Sequence, residues 1–96
     1  MKIITLCGSL KYQSEMMRMA ESLSLKGDCV LTPVFFAGDA NNLTKSDLNN
    51  LKDAHFKRID LSDARYVVNK DKYIGNSTKK EIEYAKSLNK KIIYMK

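Results

Sequence analysis

No apolar run in this sequence approaches the roughly 20 residues that a helix needs to cross a bilayer. Its opening, MKIITLCGSLKYQ, lacks the long apolar core and small-residue cleavage site of a secretory leader. A cytoplasmic protein with no membrane partner is expected. Cysteine and histidine are scarce: Cys7, Cys29 and His55 are all there is. Without a C-x-x-C spacing or a histidine cluster, neither metal nor cofactor is expected. Both cysteines fall in apolar runs and read as buried, reduced thiols. Internal repeats and dividing linkers are also missing, so residues 1–96 read as a single domain. A chain this short leaves a large share of its surface uncovered on folding, which favours a homo-oligomer, dimer or higher.

What is present suits a folded protein: 44% hydrophobic and 29% charged residues exclude a disordered chain. The formal net charge of +6 favours an anionic partner. Its lysines are scattered and no DNA- or RNA-binding signature accompanies them, so a small nucleoside or nucleotide is expected rather than nucleic acid.

Four short apolar runs, KIITLC (2–7), CVLTPVF (29–35), ARYVVN (64–69) and KIIYM (91–95), are rich in β-branched residues and tyrosine and predict strands. Between them lie amphipathic stretches. One runs from Ser14 to Lys26, carries Met16, Met19, Ala20 and Leu23 on one face, and ends at Gly27. A second opens at Thr44, where TKSD resembles a capping box, and carries Leu48, Leu51, His55 and Ile59 along one side. The third follows GNST. AGDANN (37–42) reads as the one long flexible connection.

Strands alternating with helices predict an α/β fold with a parallel sheet and right-handed crossovers. The simplest doubly wound arrangement is a four-stranded sheet of order 2-1-3-4 with three helices, a Rossmann-like three-layer sandwich. Ligands bind such sheets outside the carboxyl ends, at the switch between the first and third strands. CGSLKY and NKDKYIGNST open there. One helix on one face and two on the other leave apolar sheet bare beside the third and fourth strands. Tyr66, Val68, Ile92 and Tyr94 are expected on that face, under a second subunit.

At about 100° per residue, Glu81 falls near the middle of the third helix's apolar arc, with Ile82, Ala85 and Leu88 around it. Glu83, Lys79, Lys80 and Lys86 fall on the solvent side. A glutamate turned inward at the crevice has two readings. It can close a capping box over TKKE (78–81), or it can face a ligand.

CGSL after the first strand, DLSDARYVVN through the third and GNSTKKEIEYAKSLNKK leading into the fourth resemble the nucleoside 2-deoxyribosyltransferase family, most of all its short bacterial and phage relatives. The likeness extends over nearly the whole chain. The family includes nucleoside 5′-monophosphate N-glycosidases, and the likeness implies the flavodoxin-like sandwich. It also implies that Glu81 attacks the anomeric carbon of a bound (deoxy)ribose and forms a glycosyl ester, since a carboxylate both stabilises an oxocarbenium-like transition state and can bond to it.

The resemblance further implies that Gly8 and Ser9 approach the sugar or base, with an ordinary strand-to-helix turn as the alternative. Gly75, Asn76, Ser77 and Thr78 would present helix N–H groups to a 5′-phosphate or 5′-hydroxyl. Lys11 or Lys72 would add charge, and Asn69 would contact the ligand. Where the family has an aspartate eight residues before Asp63, this chain has His55, which can serve either as proton donor or as core. Asp60 and Asp63 are alternative acids, or partners of Arg58 and Arg65. Thr5 replaces a pocket tyrosine, and Gly75 an aspartate or serine. Ending at Lys96, the sequence also lacks the C-terminal segment with which longer members complete a neighbour's pocket. The reading is therefore an N-glycosidic hydrolase or transferase, and the competing one is a catalytically inactive nucleotide-binding module on the same fold.

Overall fold

The alternation of short β-branched runs with amphipathic stretches folds as it predicts. The computed structural model describes residues 1–36 and 40–95. In it, β1 (Ile3–Gly8), β2 (Cys29–Leu31), β3 (Ala64–Val68) and β4 (Lys91–Tyr94) form a parallel sheet of order β2-β1-β3-β4. The helices α1 (Gln13–Lys26), α2 (Lys45–Leu61) and α3 (Asn76–Ser87) connect them, completing a flavodoxin-like α/β sandwich. Of the AGDANN connection, residues 37–39 lie outside the described residues, and Ala40–Asn42 form a 3₁₀ turn. Among the described residues no helix is long and apolar enough to cross a membrane.

Helix ends follow their local chemistry. Gly27 takes the left-handed conformation (φ 109°), so that its own N–H reaches the Ser24 carbonyl and that of Asp28 reaches Leu23. At the start of α2 the Thr44 hydroxyl accepts from the Asp47 N–H while the Asp47 carboxylate accepts from that of Thr44, both at 3.0 Å. The third helix begins earlier than the TKKE reading requires. Gly75 is its N-cap and Thr78 lies one turn inside, buried, so Glu81 closes no capping box and sits in the second turn.

The two faces of the sheet differ. Toward α1, Ile4, Leu6 and Val68 pack with Tyr12, Met16 and Leu23 into an apolar core. Toward α2 and α3, the buried positions of the central strands are Thr5, Cys7, Arg65 and Val67. Polar groups thus lie in the middle of the sheet on the side of the crevice.

Two expectations are corrected. β2 ends at Leu31, short of Phe35: Pro33 has no N–H to give a ladder, and the chain leaves the sheet before it. The parity of β4 is also reversed. Tyr66 pairs with Ile93, whereas Ile92 and Tyr94 lie beside Arg65 and Val67 on the face of α2 and α3. The uncovered strip is therefore Tyr66 with Ile93, lining a hollow with Ile4 and Leu23 on the side where α1 packs over β1 and β2.

Candidate active site

Residues from four separated segments meet at the carboxyl ends of β1 and β3. β1 ends in Gly8, where a Cβ would lie 2.9 Å from the Val68 carbonyl oxygen. Glycine is required there by the closeness of β3, a strand-to-strand constraint that differs from the expected approach to a ligand. Beyond it the Ser9 hydroxyl accepts from the Lys11 N–H at 3.4 Å and caps a 3₁₀ turn. A cavity of about 440 Å³ opens over these residues. That volume is within the usual span for a small-molecule site.

Eight of the sequence-predicted site residues line this cavity: Gly8, Ser9, His55, Gly75, Asn76, Ser77, Thr78 and Glu81. Pro33, Val34, Phe36, Leu48 and Leu51 supply an apolar wall, and Lys52 and Arg58 add two cations from α2. The remaining candidates lie elsewhere. Lys11 stacks its ammonium over the Tyr73 ring, 3.7 Å from its centroid, and Lys72 is exposed in a left-handed turn (φ 62°). Asn69 is buried at the end of β3, outside the cavity lining.

Asp60 and Asp63 are at the wrong end of the sheet for the acid role. Both precede β3, whereas the cavity lies beyond its carboxyl end. Asp60 accepts from the Tyr84 hydroxyl at 2.6 Å, and Asp63 caps the first N–H of β1, on Ile3, at 2.8 Å. Thr5 does not reach the cavity either. It and Ser62 donate to the Arg58 carbonyl at 3.1 and 2.6 Å and lie against each other, fastening the last turn of α2 to β1.

Glu81 has two donors on one oxygen. His55 Nε2 is 3.3 Å from Oε1, and Arg65 Nη2 is 3.5 Å from the same atom. His55 is buried, yet it reaches the cavity, because α2 and α3 run side by side and bring its ring against the second turn of α3. Its Nδ1 lies 3.3 Å from Arg58 Nη1. A guanidinium can only donate, so Nδ1 accepts and the ring's proton sits on Nε2, facing Glu81. Giving that proton to a leaving base would leave an imidazolate. This contact replaces the expected proton donor with a hydrogen-bond donor to Glu81.

Cys7 completes the cluster, its Sγ 3.3 Å from His55 Nε2 and 3.1 Å from Arg65 Nε. Burial pushes its thiol up to about 12, opposed by the Arg65 charge and reinforced by that of Glu81. The thiol is therefore neutral near pH 7. Cys7, His55 and Glu81 have ligand atoms within 4.8 Å of one another, a spacing that a metal ion could use. Their protonation opposes it: Nε2 carries the ring proton, the sulfur is a thiol, and the guanidinium of Arg65 already lies against two of the three.

Against known proteins the match is structural. Neither a family model nor a curated protein sequence matches the chain. A solved structure, the 2-deoxyribosyltransferase from Leishmania mexicana, superposes with a TM-score of 0.72 at 18% identity, covering 98% of this chain and 63% of that one. The fold is 2-deoxyribosyltransferase-like. Within that deoxyribosyltransferase-like fold, sequence reasoning missed Cys7, Lys52, Arg58 and Arg65 as members of the site or its floor. One signal was legible for Arg65: an arginine in ARYVV shares its strand face with Val67, where an apolar side chain belongs.

Proposed function

We propose that this chain cleaves the N-glycosidic bond of a nucleoside or nucleotide, or transfers its (deoxy)ribose, with Glu81 as nucleophile. The observation that carries the reading is an acidic side chain on the cavity wall, held by His55 and Arg65 and joined to no backbone group among the described residues. The start of α3, with Asn76, Ser77 and Thr78, suits a sugar hydroxyl or 5′-phosphate, and the apolar wall suits a flat base. The fold likeness to a deoxyribosyltransferase supports the same chemistry.

In the first step a Glu81 oxygen bonds to the anomeric carbon as the C–N bond breaks. The bonding pair leaves with the base, which takes one proton from water. In the second, water or another base attacks the ester at the anomeric carbon and restores the carboxylate, so that hydrolysis and transfer differ in the acceptor alone. The test is chromatographic assay of free base from a panel of ribo- and deoxyribonucleosides and their 5′-monophosphates. Glu81→Gln keeps the shape and removes the nucleophile, and a fall of at least about 10³-fold is expected. Turnover equal to that of the unmodified protein would remove Glu81 from the mechanism.

A further inference from the structure

Arg65, the second residue of β3, is 0% exposed and is not among the residues lining the cavity. A buried ion pair stabilises a fold no better than apolar residues of similar volume, so stability alone does not account for an arginine here. Its contacts are specific: Nε donates to Cys7 Sγ at 3.1 Å, and Nη2 reaches Glu81 Oε1 at 3.5 Å. Nη1 has no hydrogen-bond partner among the described residues. Because His55 reaches that same Oε1 from α2, two donors on two different elements meet at one oxygen. Oε2 receives neither.

We propose that Arg65 is a positioning residue which, anchored on Cys7, tethers Glu81 through Oε1 and so leaves Oε2 as the oxygen that attacks the sugar; this rests on the glycosyl-transfer reading above. Rotation of the carboxylate about its last torsion would exchange the two oxygens and spoil the line of attack. The tether opposes that rotation, and an error of about 1 Å at the reacting centre costs on the order of 10²-fold in rate. Cys7 suits the anchoring position because a neutral thiol accepts from Nε without neutralising the guanidinium, whose charge remains available to the carboxylate.

The experiment measures kcat and KM for base release in the unmodified protein, Arg65→Lys and Arg65→Met. Lysine keeps the charge but cannot bridge Cys7 and Glu81 at once: kcat is expected to fall at least about 10-fold, with KM changed less than about twofold. Methionine is expected to lose about 100-fold in kcat. Unchanged kcat in Arg65→Met, or kcat and KM spoiled together in both variants, would overturn the assignment. Should neither variant fold, Cys7→Ala, which removes the anchor and leaves every charge, is expected to lower kcat about threefold at constant KM, and an unchanged kcat would count against the tether. If the unmodified protein releases no base, the glycosyl-transfer reading fails separately. A crystal structure of Arg65→Lys then decides the tether: Glu81 turned away from His55 supports it, and Glu81 still 3.3 Å from His55 overturns it.

Discussion

Cys7 and Cys29 should behave as different thiols although both read as buried in the sequence. Cys7 is wholly enclosed, with its thiol held up to about 12, whereas Cys29 is half-buried at the edge strand. At pH 8 an alkylating reagent is expected to modify Cys29 in the folded protein and to reach Cys7 only after denaturation, as peptide mapping would show. The same group links stability to pH. Its folded value lies above the usual 9.0, so the fold favours the protonated thiol. That stabilisation is complete below about pH 9 and declines as pH rises toward 12, with a limiting slope of about 1.4 kcal/mol per pH unit. Urea midpoints taken between pH 8 and 10.5 should therefore fall more steeply for the unmodified protein than for Cys7→Ala. Parallel curves would remove Cys7 from the alkaline transition. At this scale the sequence was readable for Glu81 because helical periodicity fixes its direction. It was misleading for Asp60 and Asp63, since acidity alone does not say at which end of the sheet a carboxylate lies.

Secondary structure was the most legible level, and α2 illustrates both its reach and its limit. Its capping box at Thr44 and its inward residues His55 and Ile59 follow from local pattern. What a single helix cannot announce is which side chains of its inward edge meet α3 and which meet the cavity. Lys52, His55 and Arg58 occupy every third position and all line the cavity. Lys52 and Arg58 present donors, since ammonium and guanidinium can do nothing else, whereas the His55 proton is directed at Glu81. Bases with a carbonyl oxygen at purine C6 or pyrimidine C4, namely guanine, hypoxanthine, uracil and thymine, are expected to be released with kcat/KM at least about 10-fold above adenine and cytosine, which carry an amino group there. Lys52→Gln, which adds an acceptor, should narrow that ratio. A panel in which adenine leads would show that α2 does not face the base. β2 shows the opposite kind of error, in which an apolar run outlasts its strand because proline cannot continue the ladder.

Strand order at the level of the whole molecule was legible from alternation alone, since right-handed crossovers leave few arrangements. The exposed sheet was legible as an area but not in its exact parity, because a shift of one residue in β4 sends every side chain to the other face. With Tyr66 and Ile93 on the uncovered strip, a second copy seated there is the expected occupant. Sedimentation at tens of micromolar should give at least a dimer, and Ile93→Glu should shift it toward monomer while leaving base release measurable. A monomer throughout would mean that the strip is simply solvated.

Glu81 and its partners Arg65, His55 and Cys7 come from α3, β3, α2 and β1, so no contiguous fragment short of nearly the whole chain brings the acid and its holders together. During refolding from urea, recovery of turnover should accordingly trail helix signal and coincide with the final docking of α3. Enzymatic competence would then serve as a clock for completion of the native topology.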